Sequence, residues 1–431
     1  MALPEGWREV TLGDVVAPIS DRETPDPATE IPFIGMEHVE GQSGRVLAYG
    51  DASDIKSASP LVEPGDILYG RLRPYLNKVA IAPEKAYTSG EFIVFRGNDE
   101  VDGRWLKWRF TARDFVDYAI SLNAGDRPRV KWPQMRPFRL QLPPLDEQHR
   151  IVELLEEHLC RIDAAEHGLA QSDRSTAALI RSALAQGLRG ELVEDDLGEG
   201  TAEDVLGSRP DFEATDGDRV WAVPEGWLWA RLGDAFEVHV GATPPRGDAG
   251  AWAGDLPWVS SGEVTFSRIS QTREHITREA AGNPSRRIHP PGTVMLAMIG
   301  EGKTRGQAAI LDIEAAHNQN CASIRVSETK VLPEYVYGYM EERYLETRRA
   351  GSGGQQQALN KAAIQRFPIP IPPLATQRRI VEAWDGIRSA AARLDDEVAR
   401  ASLRSLSLRR ALLAAAFSGR LTGASTDGEA A

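Results

Sequence analysis

Basic residues alternate with tyrosines and an amide in one short stretch of the chain, EPGDILYGRLRPYLNKVAIA at 63–82. Apolar residues flank this stretch, so the pattern predicts a strand, a basic loop and a second strand. Arginine and lysine neutralise phosphates, and guanidinium and amide groups can also read the edges of bases. The combination is suited to DNA contact through Tyr69, Arg71, Arg73, Tyr75, Asn77 and Lys78.

A second basic stretch lies at 126–139, DRPRVKWPQMRPFR, and we expect DNA contacts from Arg127, Arg129 and Lys131. The second half of the chain has two counterparts, GEGKTRGQ and GSGGQQQALNK. Glutamine and asparagine can pair with adenine through two hydrogen bonds, whereas arginine favours guanine. The candidate DNA-binding residues there are Lys303, Thr304, Arg305, Gln307, Gln355, Gln356, Asn360 and Lys361. For any single residue, a solvated loop position is an equally good explanation.

Two patterns that could support catalysis are weak. Asp26, Asp54 and Lys56 fit the degenerate spacing of a metal-dependent nuclease, but so short a pattern arises by chance in many chains. AMIGEGKT at 297–304 fits a relaxed phosphate-loop pattern, but that loop needs a helix after it, and RGQAAILDIE predicts a turn and a strand. Neither an Asp/Asn-Pro-Pro-Tyr/Phe motif nor a glycine-rich methyl-donor loop occurs. We therefore expect no catalytic residue, no metal site and no cofactor in this chain.

The net charge of −13 would disfavour the binding of nucleic acid if the charge were spread evenly over the surface. Residues 191–218, however, hold eleven acids and one base, a net of −10, which leaves −3 for the other 403 residues. The two cysteines cannot build a disulfide framework, and we find no secretory signal and no apolar run of membrane-spanning length. We expect a cytoplasmic protein.

The chain contains an internal repeat whose edges match better than its interiors. ALPEGWREVTLGDV at 2–15 recurs as AVPEGWLWARLGDA at 222–235, and LPPLDEQHRIVE at 142–153 recurs as IPPLATQRRIVE at 371–382. The interiors predict short strands with turns, as in IPFIGMEHVE and LPWVSSGEVTF. The predicted organisation is a domain at 1–142, a helix at 143–192, an acidic linker at 193–220, a domain at 221–371, a helix at 372–421 and a tail at 422–431.

Each PPL motif is followed by apolar residues at alternating steps of four and three, the pattern of a coiled-coil seam. An exposed apolar stripe of this length needs a partner, and the other copy's helix is the simplest one. The residues that we expect to pack in the seam are Ile151, Leu155, Ile162, Leu169, Ile380, Trp384, Ile387, Leu394 and Val398. A plain structural dimerisation helix would produce the same pattern.

PEGW…LGD at the start of each half, the two PPL-x-x-Q-R/H-R-I-V-E motifs and AAAFSGRLTG near the C-terminus resemble the specificity subunit of type I restriction–modification systems, over about 400 of the 431 residues. The resemblance implies an α+β fold with two tandem DNA target-recognition domains, 1–142 and 221–371, separated by two long antiparallel coiled-coil helices. Such a subunit is not an enzyme. It reads a bipartite, asymmetric target in double-stranded DNA.

The resemblance also implies partners: two methyltransferase subunits and up to two restriction subunits, which use S-adenosylmethionine, ATP and Mg²⁺, in the cytoplasm of a bacterium or archaeon. Two alternatives stay open. A coiled-coil adaptor without DNA contact would tolerate removal of positive charge at Arg71, Arg73, Lys303 and Arg305. A nuclease using Asp26, Asp54 and Lys56 would cut DNA by itself with a metal ion.

Overall fold

The computed structural model describes residues 3–53, 55–122, 128–194, 200–215, 218–300, 302–349 and 359–423. The chain divides into two compact units, the first made of Met1–Gln171 with Val398–Ala431 and the second of Ser172–Glu397. Each long helix therefore contributes residues to both units and is not a separate body beside the domains. No helix in the described ranges is long and apolar enough to cross a membrane.

The first unit is built from short strands and helices, which agrees with the predicted α+β fold. Its strands are β1 (Arg8–Thr11), β2 (Arg22–Glu23), β3 (Pro32–Ile34), β4 (Gly50–Asp51), β5 (Ser59–Val62), β6 (Ile67–Gly70), β7 (Val79–Ile81), β8 (Ala86–Thr88), β9 (Phe92–Phe95) and β10 (Arg139–Leu142). Its helices are α1 (Leu12–Val15), α2 (Gly103–Thr111), α3 (Arg113–Ser121), α4 (Trp132–Met135) and the first part of α5 (Leu145–Arg189).

The described strands of the first unit form a mixed five-stranded sheet, β2-β5-β8-β3-β4, a three-stranded antiparallel sheet, β7-β6-β9, and a ladder of β1 with β10. β6 and β9 are buried along their whole length, because helices α2 and α3 bring Phe110 and Phe115 against them. The strand, loop and strand predicted at 63–82 are confirmed as the β6–β7 hairpin.

The second unit also combines two sheets, a two-stranded ladder and helices, but its strands are divided differently between the sheets. Its helices are the rest of α5, α6 (Ala202–Leu206), α7 (Leu232–Ala235), α8 (Arg278–Ala281), α9 (Pro284–Arg287), α10 (Pro333–Arg349), α11 (Lys361–Gln365) and the first part of α12 (Leu374–Ala416). Its strands are β11 (Leu228–Arg231), β12 (Val238–Val240), β13 (Leu256–Val259), β14 (Ser267–Ile269), β15 (Glu274–Ile276), β16 (Val294–Ala297), β17 (Ala308–Leu311), β18 (Ala316–His317), β19 (Cys321–Ile324) and β20 (Pro368–Ile371). The described strands form sheets in the orders β12-β19-β16-β17-β14 and β15-β13-β18, and β11 pairs with β20.

The repeated edges of the two halves build the same junction. β1 pairs with β10, with Arg8 opposite Leu142, and β11 pairs with β20, with Leu228 opposite Ile371. The two prolines after β10 and β20 end the strand, and a long helix begins at once. The helices predicted after both PPL motifs are thus confirmed.

The glutamine of each PPL-x-x-Q motif anchors its helix to its own domain. Gln148 is fully buried; its amide donates to the carbonyl oxygen of Pro143 and accepts from the backbone N–H of Asp102. Gln377 makes the equivalent bonds with Pro372 and Leu332. Because a buried amide must satisfy both its donor and its acceptor, a glutamine is needed at this position in both copies.

The predicted seam is buried near the domains and open in the middle of the helices. Ile151, Leu155, Ile380 and Trp384 are buried, and Ile162, Leu169, Ile387 and Val398 are half-buried. Leu394 is 41% exposed, so the prediction that it packs is wrong. The buried positions in the central turns are small residues, Thr176, Ala391 and Ser405.

Part of the acidic segment is folded rather than a solvated tether. Helix α6 begins after Thr201, whose hydroxyl accepts from the backbone N–H of Asp204 as an N-cap. Ala202 and Val205, three residues apart on one face of this helix, are buried in the core of the second unit. The acids of α6 remain on its solvent side, which explains why the composition alone suggested a linker.

Candidate nucleic-acid interface

The basic loop of the first unit joins β6 to β7 and is held by backbone hydrogen bonds on both sides. The N–H of Arg73 donates to Pro128 O at 2.8 Å, and Asn77 O accepts from the N–H of Gln42 at 3.0 Å. A turn of 3-10 helix, Pro74–Leu76, forms the tip. Arg73 and Asn77 flank it in the left-handed region, with φ of 52° and 48°, a conformation that costs a non-glycine residue free energy and persists only where the surroundings hold it.

Tyr69 does not belong to this surface. Its side chain is only 4% exposed and packs on Phe110 and Phe115, with ring centroids 5.3 and 5.8 Å away. Burial raises the pKa of its hydroxyl well above the ordinary value. The prediction that Tyr69 contacts DNA is therefore wrong. Because β6 is buried on both faces, the Tyr69 side chain packs in the hydrophobic core.

Asn77 and Lys78 face the protein rather than solvent. The Asn77 amide nitrogen lies 3.4 Å from both Thr111 O and Gln42 Oε1, and the side chain is buried. The Lys78 ammonium donates to Met36 O at 2.7 Å. A direct reading role predicted for Asn77 is therefore wrong. It positions the loop, since its amide joins the loop to α2 and to the neighbouring turn at Gln42.

Glu91 organises two of the predicted arginines. Its carboxylate lies 2.6 Å from Arg129 and 3.6 Å from Arg71 and is itself mostly covered. Arg71 O also accepts from the N–H of Val130 at 2.9 Å, which ties the 128–131 segment to the hairpin loop. The sequence reasoning missed Glu91, because nothing in the local pattern shows that a residue in the turn before β9 lies between two arginines.

Three of the predicted residues around this loop are exposed to solvent, namely Tyr75, Arg129 and Lys131, and Arg73 is half-buried. Arg127 lies outside the described residues. The two basic stretches predicted separately, 71–78 and 128–131, are thus adjacent in the first unit, joined by the bridge between Leu72 and Arg129.

In the second unit the loop between β16 and β17 occupies the matching position. Lys303 is exposed, and its carbonyl oxygen accepts from the Tyr344 hydroxyl at 2.6 Å. Thr304, Arg305 and Gln307 are half-buried. A strand, not a helix, follows this loop, which confirms the prediction that the phosphate-loop pattern here lacks its helix.

The other predicted residues of the second unit do not gather at this loop. Gln355 and Gln356 lie outside the described residues. Asn360 caps α11 by accepting from the N–H of Ala363 at 2.9 Å. Lys361 lines a cavity of about 500 Å³ together with His239 and Arg325. The structure therefore places Asn360 in a local structural role.

Buried histidines, which the sequence reasoning missed, form a chain of contacts in the second unit. Arg325 Nε donates to His289 Nδ1 at 3.2 Å, His289 Nε2 lies 3.2 Å from His317 Nε2, and His317 Nδ1 lies 3.0 Å from Asn318 O. These distances fit two neutral imidazoles, with a proton on His289 Nε2 and on His317 Nδ1. Burial and the adjacent cations lower the pKa of His289 to about 2, and burial lowers that of His317 to about 4.

This histidine cluster cannot act on a substrate. Ser323 Oγ lies 3.2 Å from His289 Nε2, a spacing that a nucleophile and a base would have, but both residues are completely buried. The arrangement is a satisfied polar network inside the domain. Among the described residues, no group of three or more histidine, cysteine or carboxylate side chains is placed to hold a metal ion.

The residues of the nuclease hypothesis are not assembled by the described part of the chain. Asp26 is exposed and accepts from the backbone N–H of Ala28 at 2.8 Å, as a turn-forming residue does. Lys56 is exposed, and Asp54 lies outside the described residues.

Known proteins are similar to this chain in sequence. The type I restriction enzyme EcoDI specificity subunit of Escherichia coli is 27% identical over 197 residues, which cover 44% of this chain and 43% of that relative. The putative type I restriction enzyme MjaX specificity subunit of Methanocaldococcus jannaschii is 20% identical over 407 residues, 89% of this chain and 87% of the relative. The match to the Escherichia coli relative thus spans less than half of its length.

Solved structures share the fold. The HsdS subunit from Thermoanaerobacter tengcongensis has a TM-score of 0.62 at 22% identity, covering 97% of this chain and 98% of that one. A chain from a structure of a type I R-M system, solved to describe complex assembly and conformational transition, has a TM-score of 0.76 at 22% identity, covering 97% and 100%. The family model described as "Type I restriction modification DNA specificity domain" matches residues 4–171 and 224–389. Since these matches span most of both halves, the chain belongs to the family of type I restriction–modification DNA specificity domains.

Proposed function

We propose that this chain is the non-catalytic DNA specificity subunit of a type I restriction–modification complex. The observation that carries the proposal is a duplicated framework with unlike loops: the same β1–β10 and β11–β20 junctions hold two domains whose basic hairpin loops differ in sequence. A scaffold that is repeated while its exposed cations change is suited to reading two different half-sites of one DNA target.

The partners follow from the same proposal. Methyltransferase subunits supply S-adenosylmethionine chemistry, and restriction subunits, where the system has them, supply ATP-driven cleavage with Mg²⁺. Two exposed leucines of α12 in the first unit, Leu403 and Leu406, lie three residues apart on one face of the helix and offer an apolar surface on which a methyltransferase subunit would dock. In this role the protein works beside the chromosome, in the cytoplasm.

We further propose that α5 and α12 pair as an antiparallel coiled-coil spacer. Within the first unit, Arg409 of α12 forms an ion pair with Asp163 of α5, and Thr422, after the end of α12, hydrogen bonds Glu147 at the start of α5. Within the second unit, Trp384 of α12 contacts Ala183 of α5. Rising residue numbers on one helix meet falling numbers on the other, which supports the antiparallel direction. The spacer would set the number of base pairs between the half-sites.

Genome-wide adenine methylation mapping, with and without the gene, tests the proposed function. We expect one bipartite motif to lose methylation when the gene is deleted. Complementation with the Lys303→Ala/Arg305→Ala variant should lower methylation at that motif while the complex still assembles. An unchanged methylation map with the partner methyltransferase expressed would contradict the proposal and favour an adaptor without DNA contact.

A further inference from the structure

The tips of the two basic hairpins expose apolar side chains to solvent. In the first unit Tyr75 is 48% exposed and Leu76 37% exposed, although the strands on either side are almost entirely buried. In the second unit Ile299 is 47% exposed, directly after the buried Met298. Within the described part of the chain, the Tyr75 hydroxyl makes no hydrogen bond, so this hydroxyl is not used to hold the fold.

The first tip is rigid, so the exposure of its side chains is built into the structure. The flanking residues Arg73 and Asn77 are held in left-handed conformations by bonds to Pro128, Gln42 and Thr111. Backbone strain maintained in this way is concentrated at functional sites, where a side chain must be presented in a fixed direction. A rigid tip also loses little conformational entropy when it binds.

Different contacts hold the two ends of the second loop. Gly306, with φ of 84°, donates its N–H to Ala297 O at 2.8 Å and lies against Thr347. Met298 N donates to Asn320 O at 2.8 Å, immediately before Ile299. The loop is therefore anchored on both sides of the exposed isoleucine.

Cations lie beside both exposed apolar sites. Arg73 and Lys131 lie on or beside the first loop, where Arg129 is held in its ion pair with Glu91, and Lys303 and Arg305 lie on the second loop. Positive charge around an exposed apolar side chain favours DNA binding. The cations can contact phosphates on either side of a groove while the apolar side chain reaches the bases between them. A protein partner would not require this surrounding charge.

We propose that Tyr75 with Leu76 in one half-site, and Ile299 in the other, insert between adjacent base pairs and unstack one base step. The inference rests on the proposed function and adds to it a second mode of recognition, by the deformability of a base step in addition to hydrogen bonds to base edges. The aromatic ring of Tyr75 can stack on the exposed base face, whereas Ile299 can act only as a wedge.

The experiment uses the full chain in complex with its methyltransferase subunits, without methyl donor, and duplexes that carry the methylated motif. 2-Aminopurine, whose fluorescence rises on unstacking, replaces in turn each base of the motif other than the methylated adenine. We expect a several-fold rise at one step in each half-site. Tyr75→Ala/Leu76→Ala should remove the rise in one half-site only, and Ile299→Ala in the other, each with about tenfold weaker target binding and an unchanged salt dependence.

Two further variants keep the outcome decisive. Tyr75→Phe retains the stacking ring and should behave as the wild type, and Leu47→Ala, at another exposed leucine of the first unit, should leave both signals intact. Unchanged fluorescence in the tip variants would overturn the inference while leaving the specificity role standing. Loss of methyltransferase subunits from the tip variants on size-exclusion chromatography would overturn it in favour of a protein contact. Absence of any methylated motif would contradict the inference together with the proposed function.

Discussion

The indole Nε1 of Trp384 donates a 2.9 Å hydrogen bond to the backbone carbonyl oxygen of Ala183, which joins α12 to α5 inside the second unit. Two glycines make room for the ring: a Cβ added at Gly187 would lie 2.6 Å from Nε1, and one added at Gly338 would lie 2.3 Å from Cζ3. Tyr335 stacks on the ring with centroids 5.8 Å apart. One buried tryptophan therefore connects both long helices and α10.

Replacing this tryptophan should destabilise the second unit strongly. We expect Trp384→Ala to lower the free energy of unfolding by about 3–5 kcal/mol, because it leaves a cavity between three helices. Gly187→Ala should cost about 1–3 kcal/mol through overpacking against the indole. Urea denaturation checks both. Leu394→Ala, at an exposed position of the same helix, is the control and should stay within about 0.5 kcal/mol of wild type; a similar loss for all three variants would contradict this packing.

The buried histidines should make the stability of the second unit depend on pH. The pKa of His317, lowered to about 4 in the folded state, lies below the value of about 6.5 expected in the unfolded chain. The unfolded state therefore binds more protons between these pH values, so the stabilisation is complete above pH 6.5 and is lost as the pH falls towards 4. The loss should be about 1.4 kcal/mol per pH unit for this histidine.

Urea denaturation at several pH values between 7.5 and 4.5 measures this dependence. His317→Gln should be less stable than the wild type at pH 7.5 but show a shallower decline on acidification. An equal decline in both proteins would show that other groups are responsible.

Neutralising Glu91 should strengthen non-specific DNA binding by the first unit. Glu91→Gln releases Arg71 and Arg129 from their shared carboxylate, so both can contact phosphates. The slope of log K against log salt should steepen by up to about 0.9 for each added phosphate contact. Fluorescence anisotropy with a duplex lacking the target motif, over a range of salt concentrations, checks the slope. Glu63→Gln, which breaks the ion pair with Lys85, is the matched control; if both variants steepen the slope equally, the Glu91 assignment is wrong.

A side chain at Gly306 should displace the second hairpin loop. A Cβ there would lie 2.5 Å from Thr347 Oγ1, and the φ of 84° disfavours any L side chain. We expect Gly306→Ala to cost about 1–3 kcal/mol and to reduce methylation of the target motif. Gly247→Ala, where a Cβ meets nothing within 4 Å, should leave stability and methylation unchanged. Normal methylation by Gly306→Ala would show that the loop position does not matter for recognition.

The periodic features of the chain were predictable because they depend on local sequence. The PPL junctions, both long helices and the β6–β7 hairpin follow from proline chemistry and from the spacing of apolar residues. Leu394 shows the limit of that reasoning: a heptad pattern predicts that an apolar residue is buried, but Leu394 is exposed whereas the smaller Ala391 is buried.

The sequence by itself determined the duplication, the two domains, the long helices and the membership of a DNA specificity family, because these are recorded in matching motifs at the edges of each half. Only the tertiary structure decided which basic-loop residues are available. Tyr69 and Asn77 are buried, Glu91 from the turn before β9 lies beside two arginines, and His289 contacts His317 from 28 residues away. These relationships depend on strand pairing and packing between distant segments, and no local spacing of residue types records which segments will meet.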